Sequence, residues 1–126
     1  MVNRVLLQWQ MYIHIGTHNM QKKRQLSVDD VVNTCAWCGK RLSPDSECFG
    51  LGAKVKANVD VKQHEGSILP IFLSKTNRSV MAIVPTRISQ AKKDGNDLLF
   101  ALCSHTCGRI LKEKLQQELD MIERWN

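Results

Sequence analysis

The sequence predicts an α+β fold, with a small antiparallel sheet and one long C-terminal helix. Alternating and β-branched runs fill the middle of the chain. Near the end, apolar residues recur at helical spacing. Two cysteine pairs bracket the region between. The chain has 126 residues, a single-domain length with room for one core. Its hydrophobic fraction of 43% and charged fraction of 24% are ordinary for a folded domain and argue against wholesale disorder.

Residues 1–26 read as an N-terminal extension, set apart from a domain over residues 27–126. Within the extension, residues 5–15 are β-leaning and end at Gly16, and residues 17–25 form a polar linker carrying Lys22, Lys23 and Arg24. Gln8, Gln10 and His14 interrupt the apolar stretch, and no small-residue cleavage site follows, so a signal peptide is a poor reading. No run approaches the roughly 18 apolar residues that span a bilayer. The expectation is a cytoplasmic protein with no membrane segment.

Ser27 begins the domain as a helix N-cap, with an acid, Asp30, three residues on. Residues 54–62 alternate strictly, with Val55, Ala57, Val59 and Val61 on one face, which predicts a half-buried strand. Residues 68–73 and 80–84 are short apolar runs joined by a hairpin-like connection at Lys75, Thr76, Asn77 and Arg78. Residues 89–93 form one helical turn before the turn signal Asp94, Gly95, Asn96, Asp97, and residues 98–102 make a last strand. Leu111, Leu115, Leu119, Ile122 and Trp125 then recur at spacings of four and three, one apolar stripe of a helix running to the end of the chain.

Five cysteines occur, and four fall into two pairs. Reducing compartments disfavour structural disulfides, so close pairs in a cytoplasmic chain read first as metal ligands. Cys35 and Cys38 are separated by two residues and followed by Gly39, which supplies the left-handed backbone of a zinc knuckle. Cys103 and Cys107 stand where a strand gives way to a helix, with Ser104 placed as N-cap, so the helix N-terminus favours both thiolates. Cys35, Cys38, Cys103 and Cys107 together predict one closed, tetrahedral, structural Zn2+ site. Two alternatives stay open: His105 taking a position in a Cys3His site, and Cys48, otherwise a small buried hydrophobe, replacing a ligand.

Cys35-x-x-Cys38-Gly39 followed by Phe100-Ala101-Leu102-Cys103-Ser104-x-x-Cys107 resembles treble-clef zinc fingers of the FCS, MYM and TRASH/YHS type. The resemblance implies a knuckle, a hairpin and a Cys-Ser-x-x-Cys helix start sharing one zinc. It covers the two motifs and the helix. Residues 39–102 are far longer than the simple hairpin of those fingers, so a small sheet is inserted or the same clasp serves a distinct family.

The formal charge is +6. The C-terminal segment is neutral, because Arg109, Lys112, Lys114 and Arg124 face Glu113, Glu118, Asp120 and Glu123. The excess lies in the extension and the middle. Trp37 is expected to pack over the zinc site or against the C-terminal helix near Trp125. No Gly-rich phosphate loop and no catalytic pairing stands out, and four cysteines leave no open coordination position, so a non-enzymatic zinc-binding module is expected. It meets a protein partner as an interaction or scaffold domain. The alternative is nucleic-acid binding by a basic sheet face, Lys54, Lys56 and Lys62, with Lys40 and Arg41.

Overall fold

Five consecutive apolar residues, Leu98–Leu102, form the middle of the sheet, and all five side chains are buried. A strand covered on both faces needs no polar alternation, which is why the run is unbroken. The computed structural model describes residues 2–3, 27–43 and 49–126. The strand and linker read over residues 5–25, the histidines His14 and His18, and Cys48 lie outside the described residues.

In chain order the elements are β1 (Val2–Asn3), α1 (Val28–Val32), β2 (Phe49–Val55), β3 (Ile68–Leu73), β4 (Arg78–Ile83), α2 (Gln90–Lys93), β5 (Leu98–Leu102), α3 (His105–Glu118) and β6 (Ile122–Trp125). The strands make one antiparallel sheet in the order β1-β2-β5-β4-β3. The outer edge of β2 is shared: β1 pairs with its start, Val2↔Gly50, and β6 with its end, Ala53↔Trp125. The fold is α+β, with a small antiparallel sheet and a C-terminal helix.

Several local signals act as their chemistry dictates. Ser27 caps α1 in a reciprocal box: its Oγ accepts from the Asp30 N–H at 3.1 Å, and the Asp30 carboxylate accepts from the Ser27 N–H at 3.1 Å. That orients Val28, Val31 and Val32 into the core. Ser89 caps α2 by accepting from the Lys92 N–H at 3.2 Å. The β3–β4 hairpin turns through Ser74, Lys75, Thr76 and Asn77, and Asn77 takes φ +53°, a left-handed conformation that asparagine tolerates.

Two boundaries differ from the sequence reading. The strand at residues 54–62 is displaced: β2 ends at Val55, and Lys56 to Val59 form a turn closed by Val59 N–H donating to Lys56 O at 2.9 Å. Asn58 and Asp60, the supposed outward residues of that strand, are turn formers, and the Asp60 carboxylate accepts from the Lys62 N–H at 3.0 Å. The strand begins earlier, in Phe49-Gly50-Leu51-Gly52, where glycines hide the β signal. Gly52 is glycine for a reason of space, since a Cβ there would lie 2.1 Å from Asn96 Oδ1.

The apolar stripe is also not one helix. Leu111 and Leu115 are buried on α3, but Leu119 is already extended at φ −133°, ψ 143°. Residues 122–125 then return along β2, with Val55↔Ile122 and Lys54↔Arg124. Glu123 is the extra residue at this register shift. A bulge breaks the two-residue alternation, so Ile122 and Trp125, three apart, both turn inward as they would on a helix. Lys56 anchors the crossing through its N–H to Met121 O at 2.9 Å and its ammonium to Asp120.

Candidate metal centre

The knuckle is a small hairpin. Thr34 bridges Arg41, Cys35 N–H donates to Lys40 O at 2.9 Å, and Leu42 N–H donates to Asn33 O at 2.8 Å. The reversal needs Gly39 at φ +80°, where nothing lies within 4 Å of a would-be Cβ; the constraint is the backbone angle alone. Ala36 N–H donates to Ala101 O at 2.7 Å and fastens the knuckle to β5. β4 pairs with β5 at Ile83↔Leu99, and two residues on, the knuckle takes the place of a neighbouring strand.

Two residues past that bond the chain presents Cys103, and Ser104 starts α3 by accepting from the Cys107 N–H at 3.2 Å. The sulfurs of Cys35, Cys38, Cys103 and Cys107 lie within 4.8 Å of one another. The Cys38–Cys103 and Cys103–Cys107 sulfurs are each 3.7 Å apart. That is too far for a disulfide, while ligands at a Zn–S distance of about 2.3 Å at tetrahedral angles are separated by about 3.8 Å. The donor set fits a metal ion of this kind. Cys35 is buried, Cys38 is exposed, and the other two lie between.

The thiols of Cys35, Cys103 and Cys107 differ in their electrostatics. Burial first, and then the thiol of Cys103, push Cys107 up to about 12. Cys103 is also raised, chiefly by burial. At Cys35 burial again raises the thiol, but backbone hydrogen bonds from Cys38, Cys103 and Trp37 outweigh it and the net shift is downward. Four crowded sulfurs resist ionising together without a counter-charge, and a bound cation reverses that logic.

All four cysteines named from the sequence are brought together. His105 is not among them: its exposed ring packs on Phe49 with centroids 4.5 Å apart. Trp37 does not meet Trp125, which packs on Phe100 at 6.2 Å. Instead the Arg78 guanidinium lies over the Trp37 ring at 4.0 Å and donates to the Trp37 carbonyl at 2.7 Å. Nothing in the sequence pairs residues 41 positions apart on different elements, so this contact had no signal to find.

The lysine face does not assemble on one strand. Lys54 is on β2, Lys56 is in the turn with its ammonium on Asp120, and Lys62 opens a 3-10 turn. Among the described residues no helix is long and apolar enough to cross a membrane. Comparison of the chain with protein-family models, curated proteins and solved structures finds no match. The site therefore defines the class by its own geometry: a small module with a four-cysteine cluster that can hold a metal ion.

Proposed function

We propose that Cys35, Cys38, Cys103 and Cys107 bind one Zn2+ as a structural site of treble-clef type, in a non-enzymatic module that serves as a protein-interaction or scaffold domain. The convergence of the four sulfurs from a knuckle and a helix start carries the reading. Four soft thiolates suit zinc, and a closed set leaves no position for a reactive water. The FCS, MYM and TRASH/YHS resemblance supports the local geometry; the long strand-bearing segment between the pairs makes this a clasp on a larger sheet. Thiols kept reduced for metal suit a cytoplasmic setting.

Holding the fold is a sufficient role. Structural zinc in small peptides contributes about 10–16 kcal/mol, comparable to the whole stability of a domain at about 5–15 kcal/mol. The experiment is metal analysis of protein purified without added zinc, together with near-ultraviolet circular dichroism before and after a chelator. About one zinc per chain and loss of tertiary signal on chelation support the proposal. Full retention of structure in metal-free protein defeats it.

A further inference from the structure

Beside the knuckle, between it, α1 and β4, runs a groove of about 280 Å³ whose lining takes in Cys35 and Cys38 of the metal site and extends to residues of α1 and β4 that the site does not include. Val31, Ala36, Trp37 and Met81 form its apolar part, and Thr34, Ser79, Arg78 and Asp30 its polar part. Arg78 uses one guanidinium N–H on the Trp37 carbonyl and stacks on the ring below. Among the described residues four of its five donors are left, held in a fixed plane. The Asp30 carboxylate accepts both the N–H and the hydroxyl of Ser27 at 3.1 Å, neutral donors that leave its charge in place. The exposed Lys40 and Arg41 follow the lining residue Gly39 in the chain, so with Arg78 three cations stand against this one carboxylate and the balance is positive.

We infer that this groove docks a peptide segment of a partner protein, in which an aliphatic or aromatic side chain adjoins an Asp or Glu. The apolar side chain seats between Val31, Ala36 and Met81, and the carboxylate takes the free fork of Arg78. Size and chemistry select this occupant. The volume is below the roughly 300–1,000 Å³ of small-molecule sites and suits one or two side chains. A nucleic-acid strand fits less well, because the stacked guanidinium covers one face of Trp37 and leaves less of the ring for a base. Tryptophan, arginine and methionine are the residue types enriched at interface cores, and here they share one groove.

The inference rests on the module reading above and deepens it by naming the surface and the partner chemistry. Selection from a displayed library of random linear 12-residue peptides, on metal-loaded full-length protein, tests it. Enriched peptides carry an acid within two residues of a large apolar side chain. On the unmutated protein, one of them perturbs the methyl resonances of Val31, Ala36 and Met81. Arg78→Glu weakens that peptide at least tenfold, with zinc content and circular dichroism unchanged, and Arg78→Lys weakens it less. Enrichment of basic peptides, perturbations elsewhere, or no enrichment overturns the inference. So does oligo-uridine occupying the same methyl positions more tightly than any selected peptide. A protein that keeps one zinc and its fold but selects no peptide defeats the groove alone, whereas a folded, metal-free protein defeats the zinc reading.

Discussion

The backbone N–H of Ala36 donates to the carbonyl of Ala101 at 2.7 Å, joining the loop of the first cysteine pair to the strand that delivers the second. Cys35 precedes this donor by one residue and Cys103 follows the acceptor by two. The sulfurs therefore meet because the main chain is already in register. Removing the donor should weaken the site without touching a ligand. Ala36→Pro deletes the N–H and leaves the Ala101 carbonyl without this partner, a loss of about 1–3 kcal/mol. Competition against a chromophoric chelator should show zinc affinity reduced at least tenfold; unchanged affinity would mean the pairs assemble independently of β5.

Gly39 and Gly52 should respond differently to substitution. Gly39→Ala meets open space but a positive φ, costing about 1 kcal/mol, and Gly39→Asn costs less. Gly52→Ala drives a methyl into Asn96, whose side chain donates to Ala91 O at 3.0 Å and accepts from Asn126 at 2.6 Å. Overpacking there should cost about 1–3 kcal/mol, with loss of those bonds in addition. Urea midpoints rank the variants. Combining Gly52→Ala with Asn96→Ala should cost less than the sum of the two, because the second change clears the space taken by the first.

The shared edge of β2 predicts the effect of shortening the chain. Deleting residues 122–126 removes β6, the Trp125 contact with Phe100, and the Asn126 bonds to Gly52 O at 2.9 Å and to Asn96. Amide hydrogen exchange should accelerate along residues 53–56 of β2 and the turn after it, while α3 stays protected near Leu111. If 119–125 continued the helix instead, protection would be lost at the end of α3 and β2 would be unaffected.

How far the sequence revealed this fold depended on whether a signal was local. Ser27 and Ser104 each cap the helix that their side-chain chemistry announced, and residues 98–102 need no partner to read as a buried strand. The four cysteines were legible because metal ligation requires thiols at short spacing. What failed was periodicity shared by two structures. Val55, Val59 and Val61 alternate as in a strand, although Asn58 and Asp60 bend the chain between them. Ile122 and Trp125 keep a helical interval because a bulge at Glu123 reproduces it. Arg78 on Trp37 and Ala36 on Ala101 are tertiary facts with no local trace.

Acid should weaken the protein partly through Asp97. Burial raises its carboxyl, but the Lys92 ammonium, the Val55 N–H and the charge of Lys54 outweigh that, so it sits below its ordinary value. Its carboxylate accepts from Val55 N–H at 3.0 Å and binds Lys92. A depressed folded pKa contributes stability that is complete above the unfolded value, about 3.9, and is lost as pH falls through the folded value. Asp97→Asn should therefore be less stable than the parent at pH 7 and converge with it near pH 2. Parallel urea curves across that range would contradict this.

Zinc binding should carry its own pH dependence. With Cys107 pushed up to about 12 and Cys103 raised, both thiols are protonated at neutral pH before the metal arrives, and ligation must release those protons. Apparent affinity should fall by about tenfold per pH unit for each proton released. Chelator competition at pH 6, 7 and 8 measures the slope, and an affinity flat over that range would show that the thiols are not the ligands.

The most direct measurement is zinc stoichiometry by native mass spectrometry on the parent chain and on Cys35→Ser, Cys38→Ser, Cys103→Ser and Cys107→Ser. One zinc per parent chain, with each variant losing the metal and its cooperative unfolding transition, is the predicted result. A parent chain that is folded and metal-free under reducing conditions, or serine variants that unfold as the parent does, would contradict the account at its centre.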